Sequence, residues 1–240
     1  MKKSYKKARE RISMDVEIEK LQDLFNGVKD NRALNIRHKL GDILMSGYAM
    51  FSLKYPSLLN FEQQNKIEKI NLESVFGIKK TCSDSNLRKV LDEVNPNFIR
   101  EYFPKQFNLL EKSGFISDYQ YKIGSKGYLI VSNDGVQHFS SKKCSCNKCL
   151  TKKHSNGTTT YHHNMLCAAL VHPEKREVFM MDTEAIIQQD GTTKNDCELN
   201  AAKRLFSHME SDYEDFSEQY NFLVVEDALY ANVPHLRKLQ

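Results

Sequence analysis

The feature that most constrains this chain is a change in the period of its apolar residues near Gly124 to Gly127. Before it, apolar side chains recur every three or four residues, the spacing of a helix face; after it come short continuous runs rich in β-forming residues. A helical part followed by a sheet-containing part is therefore expected, with residues 1–120 forming a helical domain, a candidate for DNA binding or a plain packing module, and residues 121–240 the second.

Within the first part, Ser13 precedes a helix with apolar positions Ile18, Leu21, Leu24 and Phe25 that stops at Asn26-Gly27. A second helix carries Ile36, Leu40, Ile43, Leu44, Met50 and Phe51 up to Pro56, and Leu58 to Phe76 reads as a third, closed by Gly77. Ser83-Asp84 caps a helix bearing Leu87, Val90, Leu91 and Val94, and Asn95-Pro96 opens another that runs to about Leu110. No helix-turn-helix pattern stands out among them, so no recognition helix is assigned.

In the second part, Tyr128-Leu129-Ile130-Val131 is a β-prone run followed by Ser132-Asn133-Asp134-Gly135, which sets Asp134 at the carboxyl end of a strand. Two further strands are expected over Thr158 to Val171 and Glu177 to Met181. Asn195-Asp196 caps a helix with Leu199, Ala202, Leu205, Phe206 and Met209 on its apolar side. Phe222-Leu223-Val224-Val225 is a strand ending in Glu226-Asp227, and a helix begins at Val233. The order β, β, β, α, β, α is the opening order of the ribonuclease-H-like fold.

Strand ends hold carboxylates rigidly, as two-metal phosphoryl transfer requires, so Asp134 and Asp227 are the candidate ligands of Mg²⁺ or Mn²⁺. The plainer alternative makes Asp134-Gly135 a turn and Asp227 a helix cap. Asp190, Asp196, Glu198 and Glu226 are rival acids, the first in a turn and Asp196 and Glu198 at a helix start.

Composition narrows the setting. The 240 residues are 40% hydrophobic and carry a net charge of +4, with no apolar run near the roughly 20 residues that span a bilayer and no signal-peptide core, so a cytoplasmic protein without membrane contact is expected. Positive charge concentrates at the start, where Lys2, Lys3, Lys6, Lys7, Arg9 and Arg11 face Glu10 alone; such an arm suits phosphate neutralisation, and solvated lysine-rich tails share the pattern. Cys144, Cys146 and Cys149 lie too close together for a disulfide framework. Cys146-x2-Cys149-x4-His154, with His162 and His163 following, has the spacing of a tetrahedral Zn²⁺ site, and since strand neighbours face opposite sides only one of the last two histidines can reach the metal. Four protein ligands would make that zinc structural. A cysteine loop with chance histidines is the alternative.

Three stretches carry a resemblance. Leu129 to Ser141 (LIVSNDGVQHFSS), Asn195 to Arg204 (NDCELNAAKR) and Val225 to Tyr230 (VEDALY) look like blocks of bacterial insertion-sequence transposases of the DDE type; Arg37 to Leu59 and Ser83 to Arg88 resemble their amino-terminal regions. The resemblance covers most of the chain. It implies a helical amino-terminal domain, an incomplete ribonuclease-H-like mixed sheet with a zinc-binding loop insertion, and Mg²⁺-dependent DNA cleavage and strand transfer, with Asp134 and Asp227 matching the first two catalytic acids. Its partners would be double-stranded DNA at element ends and further transposase, as a homo-oligomer or with a full-length copy. The similar segment also places a histidine where His163 stands, which selects it over His162 and leaves His162 and Cys144 as spares. The family's third acid, a glutamate on a later helix, has no counterpart here. The expectation is a truncated transposase that does not cleave or join DNA alone; the competing expectation is a non-catalytic fragment that binds DNA or a full-length partner and regulates transposition.

Overall fold

The computed structural model describes residues 10, 12–32, 36–188 and 197–239. It divides into two compact units, residues 1–102 and 103–240.

In the first unit the local signals become helices. Helix α1 (Met14–Asn26) starts where Ser13 Oγ accepts the Val16 amide and ends at Gly27. It is followed by α2 (Leu40–Ser52), α3 (Leu58–Asn65), α4 (Lys69–Phe76) and α5 (Asp84–Glu93), the last capped by Ser83 Oγ on the Asn86 amide. Ile18, Leu21 and Phe25 of α1 pack with Ile43, Leu44 and Ala49 of α2, Phe61, Leu72, Phe76, Leu87 and Val90 in one core.

The single helix expected over Leu58 to Phe76 is two. A turn at Lys66–Glu68 lets α3 pack on α5 while α4 turns to α1 and α2. Gly77 ends α4 at φ +66°, and a Cβ there would stand 2.1 Å from Gln22 Nε2, which donates to the Phe76 carbonyl at 2.9 Å. The helix expected from Asn95-Pro96 is also interrupted. A 3-10 turn (Pro96–Ile99) precedes α6 (Tyr102–Lys112), because Pro104 lacks an amide proton and fits only a first turn. The division of the chain accordingly falls at residue 102, not 120: Phe107 of α6 packs edge-on against Tyr213 at 5.3 Å and Phe216 at 4.7 Å in the second core.

The second unit is a six-stranded mixed sheet with helices against it. Its strands are β1 (Tyr121–Ile123), β2 (Lys126–Ser141), β3 (Leu150–Lys153), β4 (Thr159–Val171), β5 (Phe179–Ile186) and β6 (Asn221–Val225). Strand β2 pairs antiparallel with β1 and β4, and β4 antiparallel with β3 and β5; β6 lies parallel to β2. The order β5-β4-β2-β6 thus runs through the middle, with α7 (Glu198–Asp212) and α8 (Glu214–Ser217) in the crossover from β5 to β6, and α9 (Val233–Lys238) after it. Leu129, Val131, Leu166, Ala168, Leu170 and Met181 form one face of the sheet core, closed by Ala201, Ala202, Leu205, Phe206 and Met209 of α7.

Three details differ from expectation. Strand β5 begins at Phe179 and runs on through Asp182 and Glu184, charged residues that break an apolar pattern; Glu184 Oε1 accepts from Arg204 Nε of α7 at 2.6 Å, which makes its place in a strand tenable. Helix α7 is preceded by Cys197, with no side-chain cap, while Asn195 and Asp196 lie outside the described residues. Asp134 does not close a strand, since β2 extends past it to Ser141. Among the described residues, no helix is long and apolar enough to cross a membrane.

Candidate metal centre and acidic rim

The far end of the sheet gathers the sulfur and nitrogen donors. Ser141 Oγ accepts the Lys143 and Cys144 amides and so turns the chain out of β2. The loop then closes on itself, the Cys149 amide donating to the Cys146 carbonyl at 3.2 Å and the Cys146 amide to Cys149 Sγ at 3.2 Å. An N–H directed at sulfur favours its thiolate form, the form that binds metal.

Opposite this loop, β4 presents two neighbouring histidines. His162 pairs in register with Ser140 and Leu150, and His163 with Phe139. The alternation of the strand sends only His163 to the cysteines, its Nε2 lying 3.3 Å from Cys146 Sγ and 3.4 Å from Cys149 Sγ, with the two sulfurs 3.6 Å apart.

Those separations can be compared with a metal's demands. Zn–S bonds of about 2.3 Å and Zn–N bonds of about 2.0 Å give tetrahedral edges of about 3.8 Å between sulfurs and about 3.5 Å from sulfur to nitrogen. The three donors already stand near those distances, and among the described residues they are the one group of three so arranged. Burial pushes the Cys149 thiol up, against the Cys146 amide, which pulls it down. Burial lowers the basicity of His163, and the neighbouring His138, His162 and Lys148 act the same way, which favours its neutral, ligating form. A shift of register between Gln137 and Phe139 leaves His138 as the extra residue of a bulge, where its ring stacks on that of His163 at 5.9 Å and 17°.

His154, expected as the third ligand from its spacing, is not part of the group. It sits in the β3–β4 turn, closed by its amide on the Thr158 carbonyl, and its Nε2 lies 2.7 Å from Thr160 Oγ1. The hairpin gives it a partner before a metal can. Cys144 is exposed.

The acids lie farther along the same central strand. Ser132 of β2 and Val225 of β6 are the last pair of the parallel ladder, and Asp134 and Asp227 each stand two residues beyond them. Both are exposed at that rim. Each also serves its own backbone, Asp134 Oδ1 accepting the Gly135 amide at 2.8 Å and Asp227 Oδ1 the Leu229 amide at 2.9 Å. The turn reading of Asp134 is excluded by the strand around it; the capping reading of Asp227 holds for one of its two oxygens.

Glu226 is placed differently. Its Oε1 accepts from Asn133 Nδ2 and its Oε2 meets His235 Nε2, both at 2.6 Å, with the Glu226 and His235 side chains only 8% and 3% exposed. No spacing motif links residues 133, 226 and 235, so this network was invisible in the sequence. Glu198, in the first turn of α7, reaches the backbone of β2, where a Cβ on Gly135 would stand 2.4 Å from its Oε1. Asp190 and the basic residues Lys2, Lys3, Lys6, Lys7, Arg9 and Arg11 lie outside the described residues.

Comparison with protein-family models, curated proteins and solved structures returned no match.

Proposed function

We propose that this chain carries the opening part of a ribonuclease-H-like catalytic domain of a DDE-type insertion-sequence transposase, acting in the cytoplasm on double-stranded DNA at element ends. In this reading Asp134 and Asp227 bind Mg²⁺ or Mn²⁺, and a Zn²⁺ held by Cys146, Cys149 and His163, three protein donors in place of the four expected, ties the loop after β2 to β4. What supports it is the parallel pairing of β2 and β6, which brings two acids distant in sequence to the same level of one sheet edge. Such a pair, held on rigid elements, is the starting arrangement of two-metal phosphoryl transfer. The further partner is transposase itself, as a homo-oligomer or with a full-length copy.

One observation favours a second, non-catalytic reading. Lys142, Lys143, Lys148, Lys152 and Lys153 are exposed on the loop and hairpin around the cysteines, with no acid between residues 142 and 153. A basic element fixed by a metal suits contact with phosphates and needs no cleavage. The chain would then bind DNA or a full-length transposase and regulate transposition.

Incubation of the full chain with element-end DNA and Mn²⁺, beside a mobility-shift titration, tests both. Nicking that Asp134→Ala abolishes shows a working catalytic site and overturns the expectation that the chain does not cleave alone; a shift without nicking, weakened when the five lysines are exchanged for Gln, supports the binding reading; neither nicking nor shift refutes both readings.

A further inference from the structure

Strand β2 carries an extra residue opposite His163. Gln137 pairs with Asn164 and Phe139 with His163, so His138 stands between them without a register partner on β4. In a regular strand His138 and Phe139 would project to opposite faces. Here both rings reach that of His163, with centroids at 5.9 Å for His138 and 5.6 Å for Phe139. A bulge that sets two consecutive side chains against one residue re-aims a side chain, and such irregularities gather beside functional sites.

What the re-aimed ring can do follows from the metal centre beside it. A zinc that fixes structure takes four protein donors, and among the described residues Cys146, Cys149 and His163 are the group whose ligand atoms lie within 4.8 Å of one another. The other donors nearby are committed elsewhere. His154 Nε2 is 2.7 Å from Thr160 Oγ1, and strand alternation puts His162 on the face of β4 opposite His163. Cys144 is exposed, and its amide donates to Ser141 Oγ in the turn that leads out of β2.

His138 has both the chemistry and the separation. Two imidazoles on one tetrahedral zinc, each bound at about 2.0 Å, have ring centres about 5 Å apart. The rings of His138 and His163 are 5.9 Å apart and within 17° of parallel, which is about 1 Å from that separation. A zinc ion lies in the plane of any imidazole that binds it, so two rings sharing one ion can be nearly coplanar. The His138 nitrogens stand outside the 4.8 Å group, but the residue is exposed, and among the described residues no hydrogen bond or ion pair ties its ring elsewhere. Rotation about its side-chain bonds closes a gap of this size.

We propose that His138 is the fourth ligand of the zinc and completes a closed set of two cysteines and two histidines. The proposal rests on the reading of Cys146, Cys149 and His163 as a metal centre and deepens it. The site then joins three elements, β2 through His138, the loop through its two cysteines and β4 through His163. Four protein donors leave no position for a water, so the site holds the basic loop at a fixed place on the sheet and does no chemistry of its own.

The test is zinc-edge X-ray absorption of the full chain loaded with one zinc, which counts sulfur and imidazole ligands, beside zinc affinity measured by chelator competition. The wild type is expected to show two sulfurs and two imidazoles, and His138→Ala two sulfurs and one imidazole. A lost ligand should weaken zinc by at least the roughly 10–100-fold typical of a lost outer-sphere partner. His138→Cys, which returns a donor, should restore most of the affinity with three sulfurs. Because His138 is exposed, neither change opens a cavity, and circular dichroism verifies the fold. A single imidazole in the wild type, or a second one that persists in His138→Ala, overturns the role of His138 and leaves the three-donor centre standing. A third sulfur in the wild type that disappears in Cys144→Ser overturns it in favour of Cys144. Failure of the wild type to bind zinc, or zinc that survives Cys146→Ser combined with Cys149→Ser, overturns the centre itself.

Discussion

His163 Nε2 and Cys149 Sγ, one on a strand and the other on a loop, lie 3.4 Å apart, a separation that makes sense when both ligate one ion. Purified chain is therefore expected to carry about one zinc, measured by plasma mass spectrometry. Cys146→Ser, Cys149→Ser and His163→Ala should each lose most of it. His154→Ala should keep it, because His154 belongs to its hairpin through Thr160. Since the ion links the loop to β4, chelation should lower the melting temperature of the sheet unit by roughly 5 °C or more. Retention of zinc in Cys149→Ser, or its loss in His154→Ala, would show that the ligand set is wrong.

The six cysteines should separate into three classes of reactivity. Cys144 and Cys197 are exposed and should react with a disulfide reagent at once. Burial pushes the thiols of Cys82 and Cys167 up, with the Asp134 charge adding to the effect at Cys167, so at neutral pH both stay protonated and slow, and should speed up as pH rises. Cys146 and Cys149 should join the fast class only after chelation. A thiol count that gains two on adding a chelator is the expected result; a count that does not change removes the metal from the explanation.

Glu226 and His235 make a buried pair, and removing one partner strands the other. His235→Ala is expected to cost about 3–5 kcal/mol in urea unfolding of the sheet unit. Part of that loss is packing, because the ring also meets Tyr230 at 5.3 Å and Phe206 at 5.7 Å between centroids. His235→Phe keeps the ring and drops the hydrogen bond, so it divides the two contributions. A change below about 1 kcal/mol in His235→Ala would mean that Glu226 reaches water.

Local signals were readable in the sequence and long-range ones were not. Ser13 and Ser83 accept the amides expected of N-caps, and the apolar run Phe222 to Val225 forms a strand, its middle half-buried beside β2. Asp134-Gly135 read as a strand end because turns use the same dipeptide; what keeps β2 extended is pairing with β4, from Ile130 opposite Val171 to Ser141 opposite Tyr161. Spacing offered His154 as a ligand, whereas the β3–β4 register gave its ring to Thr160. Glu198 looked like an ordinary acid at a helix start. Only packing of α7 on the sheet reveals which backbone it faces.

That packing can be tested without any metal. The Gly135 backbone has ordinary dihedral angles, so the obstacle to a side chain is the Glu198 carboxylate alone: a Cβ would lie 2.4 Å from Oε1 and 2.9 Å from Cδ. The far end of a flexible side chain can move, which limits the cost of Gly135→Ala to about 1 kcal/mol. If the clash is with Glu198, the cost should vanish when Glu198 is shortened to Ala. A double-mutant cycle in urea unfolding should then show a coupling of about 0.5–1 kcal/mol between the two positions, since residues in direct contact depart from additivity. Strict additivity would mean that the helix start lies away from β2.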